Sequence, residues 1–100
     1  MDRLDELKKI VVPLLKPYAR RVAVFGSFVR EEETSESDID LLVALKSPDQ
    51  RPPLGLKWFG LEEELSHLLG REVDLVSEEA LSRYLRPYVE TEMITLYEET

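Results

Sequence analysis

Gly26-Ser27 is separated by ten residues from Asp38-Ile39-Asp40, and Asp74 follows inside Val73-Asp74-Leu75-Val76. Side chains alternate between the two faces of a strand, so Asp38 and Asp40 project the same way and can hold a divalent cation between them. Gly26 has no side chain to block approach to its backbone, and Ser27 falls where the first amides of a helix point outward. Together they could cradle a terminal phosphate. Asp74 could add a third carboxylate if its strand neighbours that of Asp40. Three acids can hold two cations, an arrangement that activates an attacking hydroxyl on one side and neutralises a leaving pyrophosphate on the other. Asp40 is flanked by Ile39, Leu41, Leu42 and Val43, surroundings in which a carboxylate needs a cation or fixed donors.

The rest of the composition narrows the chemistry. There is no cysteine and a single histidine, His67, so disulfides, thiolate sites and histidine-rich zinc centres are disfavoured. Any metal should be hard and oxygen-ligated, with magnesium, as two ions, the natural candidate. The net charge of -8 argues against direct nucleic-acid binding through a broad basic surface. A free triphosphate would be repelled by such a body unless its cation came with it, so magnesium-bound nucleotide suits the field. No run of apolar residues is long enough to span a membrane, and the opening Met1-Asp2-Arg3-Leu4-Asp5-Glu6 lacks the pattern of a secretion signal. These features predict a cytoplasmic protein. One hundred residues, 43% of them hydrophobic, suit one domain over 1–100, small enough to gain from a homo-oligomer or a hetero-complex.

Positioning elements follow from periodicity. Apolar Leu4, Leu7, Ile10, Val11, Leu14 and Leu15 predict an amphipathic helix from Asp2 to about Leu15, limited by Pro13 and Pro17. Arg21 to Phe25 reads as a strand, Gly26 as a turn, and Ser27 to Glu32 as a short helix capped by the Ser27 hydroxyl. After a polar loop over Glu33 to Ser37, Asp38 to Leu45 reads as a strand and Leu54 to Leu69 as a helix closed by Gly70. Glu72 to Val76 alternates as a strand, and Ser77 could cap the next helical stretch. From Glu78 to Glu98 the pattern is helical with a break at Pro87. The predicted class is α/β (α+β): a small mixed sheet of three or four strands with helices packed on it.

With these residues in place, the chain resembles the minimal nucleotidyltransferases of the DNA polymerase beta-like superfamily, from about Arg21 through the last element. The resemblance rests on Gly26-Ser27, Asp38-Ile39-Asp40-Leu41-Leu42-Val43 and Val73-Asp74-Leu75-Val76. It implies that Asp38 and Asp40 bind magnesium, that Asp74 completes the site and orients the acceptor hydroxyl, and that Gly26 and Ser27 hold the triphosphate of ATP. Arg30 falls where relatives often carry an arginine and could meet a phosphate, or pair with Glu33 or Glu36. Relatives frequently place glycine after that arginine, whereas this chain has Glu31-Glu32-Glu33, a departure that bears on the loop rather than the acids. Ser37 matches the family's usual serine and could cap the loop or touch nucleotide.

Many members resemble antitoxins of HEPN/MNT toxin-antitoxin pairs, which silence an all-helical HEPN-type ribonuclease by adenylylating a tyrosine. The resemblance therefore implies an enzyme moving AMP from ATP to a hydroxyl of such a partner. The alternative is a non-catalytic antitoxin that neutralises its partner by covering it. A drug-modifying transferase would need a second, acceptor-binding domain, for which 100 residues leave no room. Other residues read more plainly. Trp58 and Phe59 could stack on a base but suit packing beside Leu56, Leu61, Leu65, Leu68 and Leu69, and Glu62-Glu63-Glu64 suits a solvated face. Tyr84, Tyr88 and Tyr97 are either buried hydroxyls or partner contacts, exposure favouring the latter.

Overall fold

Apolar residues three and four apart on the first helix and every second residue on the strands converge on one core. The computed structural model describes residues 3–30 and 38–99. Its elements are α1 (Arg3–Leu15), β1 (Ala19–Phe25), α2 (Ser27–Arg30), β2 (Ile39–Leu45), α3 (Lys57–Leu69), β3 (Val73–Ser77), α4 (Arg86–Glu92) and β4 (Ile94–Glu98), with single 3-10 turns at Pro48–Gln50 and Glu78–Ala80. The four strands form one sheet in the order β3-β2-β1-β4. β1 runs antiparallel to both β2 and β4, while β2 and β3 are parallel and joined through α3, so the sheet is mixed.

The two faces of the sheet are unequal. Leu7, Val11 and Leu15 of α1 and Leu61 and Leu65 of α3 pack on Val22, Val24, Ile39, Leu41, Val43, Val73 and Leu75, the main core. The opposite face carries a thin layer in which Val89 of α4 meets Ala23 and Leu42, with Phe25, Val76, Leu81 and Met93 against them. Alternation puts Asp40 and Asp74 on this second face, because their neighbours Ile39, Leu41, Val73 and Leu75 all point into the main core. The acids thus lie where little helical cover exists.

Several expectations hold. α1 begins within a residue of its predicted start and tolerates Pro13 near its end. α3 closes at Gly70, whose φ of 67° is left-handed and whose amide donates to Ser66 O. The helix itself starts at Lys57, three residues after the predicted Leu54. The C-terminal expectation fails: Glu78 to Glu98 is not a broken helix but a 3-10 turn, a two-turn helix and then strand β4, which pairs with β1 from Arg21↔Glu98 to Val24↔Ile94. Ile94-Thr95-Leu96-Tyr97 is β-branched and aromatic, and β1 offers an edge that only a strand can satisfy. Ser77 makes no side-chain cap to the turn that follows. Packing claims for α3 also need amendment, since Trp58 does pack on the core whereas Phe59 is 60% exposed, with Leu56 and Leu68 exposed as well. Tyr84 and Tyr88 are exposed, and Tyr97 is partly buried on β4.

Candidate active site

The candidate site lies where β1 ends and β2 and β3 begin. β1 ends at Phe25, paired with Asp40, and Gly26 turns the chain into α2 with a φ of 78°. That left-handed backbone suits glycine. Gly26 O accepts from the amides of Val29 and Arg30, so Gly26, rather than the expected Ser27, stands at the capping position of α2. Gly26 is buried, Ser27 partly buried and Arg30 exposed. The expected helical residues Glu31 and Glu32, the loop Glu33 to Ser37 and the Arg30 partners Glu33 and Glu36 lie outside the described residues.

Asp40 and Asp74 are directly opposite each other in the parallel register of β2 and β3. Burial, then the charges of Asp74 and Asp38, push the Asp40 carboxyl above the usual carboxylate range, against the opposing pull of Arg30, and Glu92 adds to the rise. Asp74 is raised in the same direction by burial, by the charges of Asp38 and Glu62, and by a hydrogen bond with Asp38. Asp38 precedes the first residue of β2 and is exposed. The condition set for Asp74, that its strand neighbour that of Asp40, is therefore met. A closed three-carboxylate metal site is not present: among the described residues, no three acidic, histidine or cysteine side chains are grouped so as to hold an ion.

Two supports of this site carry no sequence signature. Glu62, expected on a solvated face, instead accepts the Leu75 amide through Oε2 at 2.8 Å. Ser66, one turn along α3, accepts the Val73 amide at 2.9 Å and donates its hydroxyl to Glu62 O. These bonds cover the outer edge of β3 on both sides of Asp74 and fix the strand that carries it. Glu92, at the end of α4, accepts from the Gly26 amide and from Arg30. Neither role was visible from spacing, because each joins residues that the fold alone brings together.

Comparison with known proteins agrees with this geometry. The nucleotidyltransferase domain family matches residues 4–96. A Thermococcus cleftensis protein named protein adenylyltransferase MntA is 41% identical over 99 residues, covering 94% of this chain and 96% of its own. A Methanocaldococcus jannaschii protein, provisionally named a protein adenylyltransferase, is 41% identical over 95 residues, covering 93% and 90%. Among solved structures, one described as a minimal nucleotidyltransferase superposes with a TM-score of 0.73 at 38% identity, covering 94% of this chain and 95% of that one. A toxin-antitoxin complex with AMP-PNP gives 0.75 at 25% identity, covering 93% and 74%. The chain belongs to the nucleotidyltransferase domain family, in its minimal, MntA-type branch. It is a nucleotidyltransferase.

Proposed function

We propose that residues 1–100 form one minimal nucleotidyltransferase domain that moves AMP from ATP to a hydroxyl of a protein partner, a tyrosine of a HEPN-type toxin, and so acts as its antitoxin. The observation that carries this reading is the in-register pair Asp40 and Asp74 on the thinly covered face of the sheet, beside the Gly26 turn and Arg30. In the reaction the acceptor oxygen attacks the α-phosphorus, the bond to the bridging oxygen of the β-phosphate breaks, and pyrophosphate leaves. The acceptor proton passes to a carboxylate of the site, for which Asp74 is the candidate, or to solvent.

Magnesium fits the residue types present, because Asp38, Asp40 and Asp74 offer hard oxygen donors, and burial, then neighbouring negative charge, raises the Asp40 and Asp74 carboxyls, a penalty that a cation would relieve. When bound, magnesium would screen that repulsion and supply charge to the phosphates. Gly26 and Ser27 would take the triphosphate with Arg30 alongside. A toxin partner is supported by the toxin-antitoxin complex that superposes on this chain and by the adenylyltransferase name of the Thermococcus relative. No helix among the described residues is long and apolar enough to cross a membrane, in keeping with a cytoplasmic encounter.

The test is to incubate the chain with magnesium, α-labelled ATP and a candidate HEPN-type helical protein, sought first in the neighbouring reading frames. Label should appear on the partner and vanish with Asp40→Asn. Absence of label with every triphosphate, under conditions where metal binds, would sink the transferase reading. Full neutralisation by Asp40→Asn would instead select an antitoxin that works by covering its partner.

A further inference from the structure

Glu92 is the last residue of α4, where the helix dipole disfavours a carboxylate and where its last turn holds no basic residue. It also lies within the field of Asp40, to which its charge is unfavourable. Local helix physics thus gives no reason for an acid here. Its partners do. Oε1 accepts from the Gly26 amide at 3.1 Å and from Arg30 Nη1 at 3.1 Å, and Oε2 accepts from the same Nη1 at 3.0 Å. One carboxylate therefore ties the turn after β1 to the guanidinium one helical turn beyond it, from an element more than sixty residues away. The anchor is firm: Val89, one turn earlier, is buried against Ala23 and Leu42, and the Met93 amide closes the helix on Val89 O.

We infer that Glu92 is a positioning residue for the triphosphate: it sets the Gly26 turn and aims Arg30, acting on substrate through both. This rests on the function proposed above. Both bonds to Arg30 run from a single nitrogen, so the carboxylate fixes the orientation of the guanidinium plane from α4. An ion pair of this kind also keeps an arginine from collapsing onto the Asp40 carboxylate that attracts it.

Calorimetric binding of AMP-PNP with magnesium to the whole chain tests this, using Glu92→Ala, Arg30→Ala and the double variant. Glu92→Ala should weaken binding about tenfold, equivalent to about 1.4 kcal/mol. The double variant should match Arg30→Ala within about twofold, since a residue acting through Arg30 has nothing left to act on. AMP, which lacks the outer phosphates, should bind all variants alike, and Glu92→Gln, which keeps an acceptor oxygen, should recover part of the loss. If Glu92→Ala does not fold, the same cycle is read with Glu92→Gln. Additive losses, or equal weakening of AMP, would overturn the inference. So would tighter binding by Glu92→Ala, which would make the carboxylate a competitor for the phosphate seat. Failure of the unmutated chain to bind AMP-PNP would overturn both this inference and the proposed function, whereas binding without coupling would overturn only the role of Glu92.

Discussion

A methyl group added to Gly26 would lie 2.5 Å from Oδ2 of Asp40, closer than real Cβ atoms approach an oxygen. The Gly26 turn and the Asp40 carboxylate are therefore packed against each other, and glycine is required both for its φ of 78° and for that space. Gly26→Ala should lose about 1–3 kcal/mol of stability, from backbone strain alone. Because Asp40 must move, transfer activity should fall further, by about 100-fold. Thermal unfolding beside a transfer assay separates the two effects, and unchanged activity would mean that Asp40 does not need this position.

Asp40 works against the fold that holds it. Its carboxyl is raised in the folded state, so folding favours its protonated form and stability declines as pH rises through the interval between the ordinary and the raised value. At neutral pH without metal, Asp40→Asn should melt about 2–8 °C above the unmutated chain while losing transfer. The difference should shrink as pH drops below the ordinary carboxylate range. Magnesium should then stabilise the unmutated chain and leave the variant almost unmoved.

Glu62 should behave as a strand clamp rather than a surface charge. Glu62→Ala leaves the Leu75 amide without its acceptor and should cost about 1–2 kcal/mol, whereas Glu62→Gln keeps an oxygen there and should recover most of it. Amide exchange at Leu75 is the direct readout, with faster exchange expected in the alanine variant alone. Equal exchange in both variants would show that charge, not the hydrogen bond, matters.

Glu78 gives the opposite pH signature to Asp40. Burial works to raise its carboxyl, but the Arg21 hydrogen bond and the charges of Arg21, Arg20 and Arg86 outweigh it and hold the group below its usual range. The Arg21 contact is 2.6 Å, and Arg86 reaches both the carboxylate and the Glu78 carbonyl. With its folded pKa depressed, Glu78 stabilises fully above the ordinary carboxylate value and loses that contribution as pH falls through the depressed one. Glu78→Gln should lower stability by about 1–2 kcal/mol at neutral pH, with the gap closing in acid. A constant gap across an acid titration of unfolding would contradict this.

Much of the site could be read without coordinates because strand and turn chemistry is local. Gly26 announces a left-handed turn after a β run. Alternation sets Asp40 on the face opposite Ile39 and Leu41, and Asp74 stands across from it once β2 and β3 pair, whereas Asp38, expected as the first residue of the strand, lies just before it. The α1 stripe of Leu7, Val11 and Leu15 was equally legible, since its period is a property of the helix itself. Residues 94–98 were not. Their apolar and aromatic content suits either a helix or a strand, and the choice is made by the open edge of β1, more than sixty residues away.

The sequence by itself thus determined which groups are on offer: three aspartates as candidate oxygen ligands, a Gly26-Ser27 turn as a candidate phosphate seat, no cysteine and a single histidine. Only the tertiary structure decided how those groups are held. Glu92 on the Gly26 amide and Arg30, and Glu62 and Ser66 on the edge of β3, are hydrogen bonds between distant elements. Their physical cause is the need of amides and charges at strand ends for partners once the sheet has formed, a need that no stretch of neighbouring residues expresses.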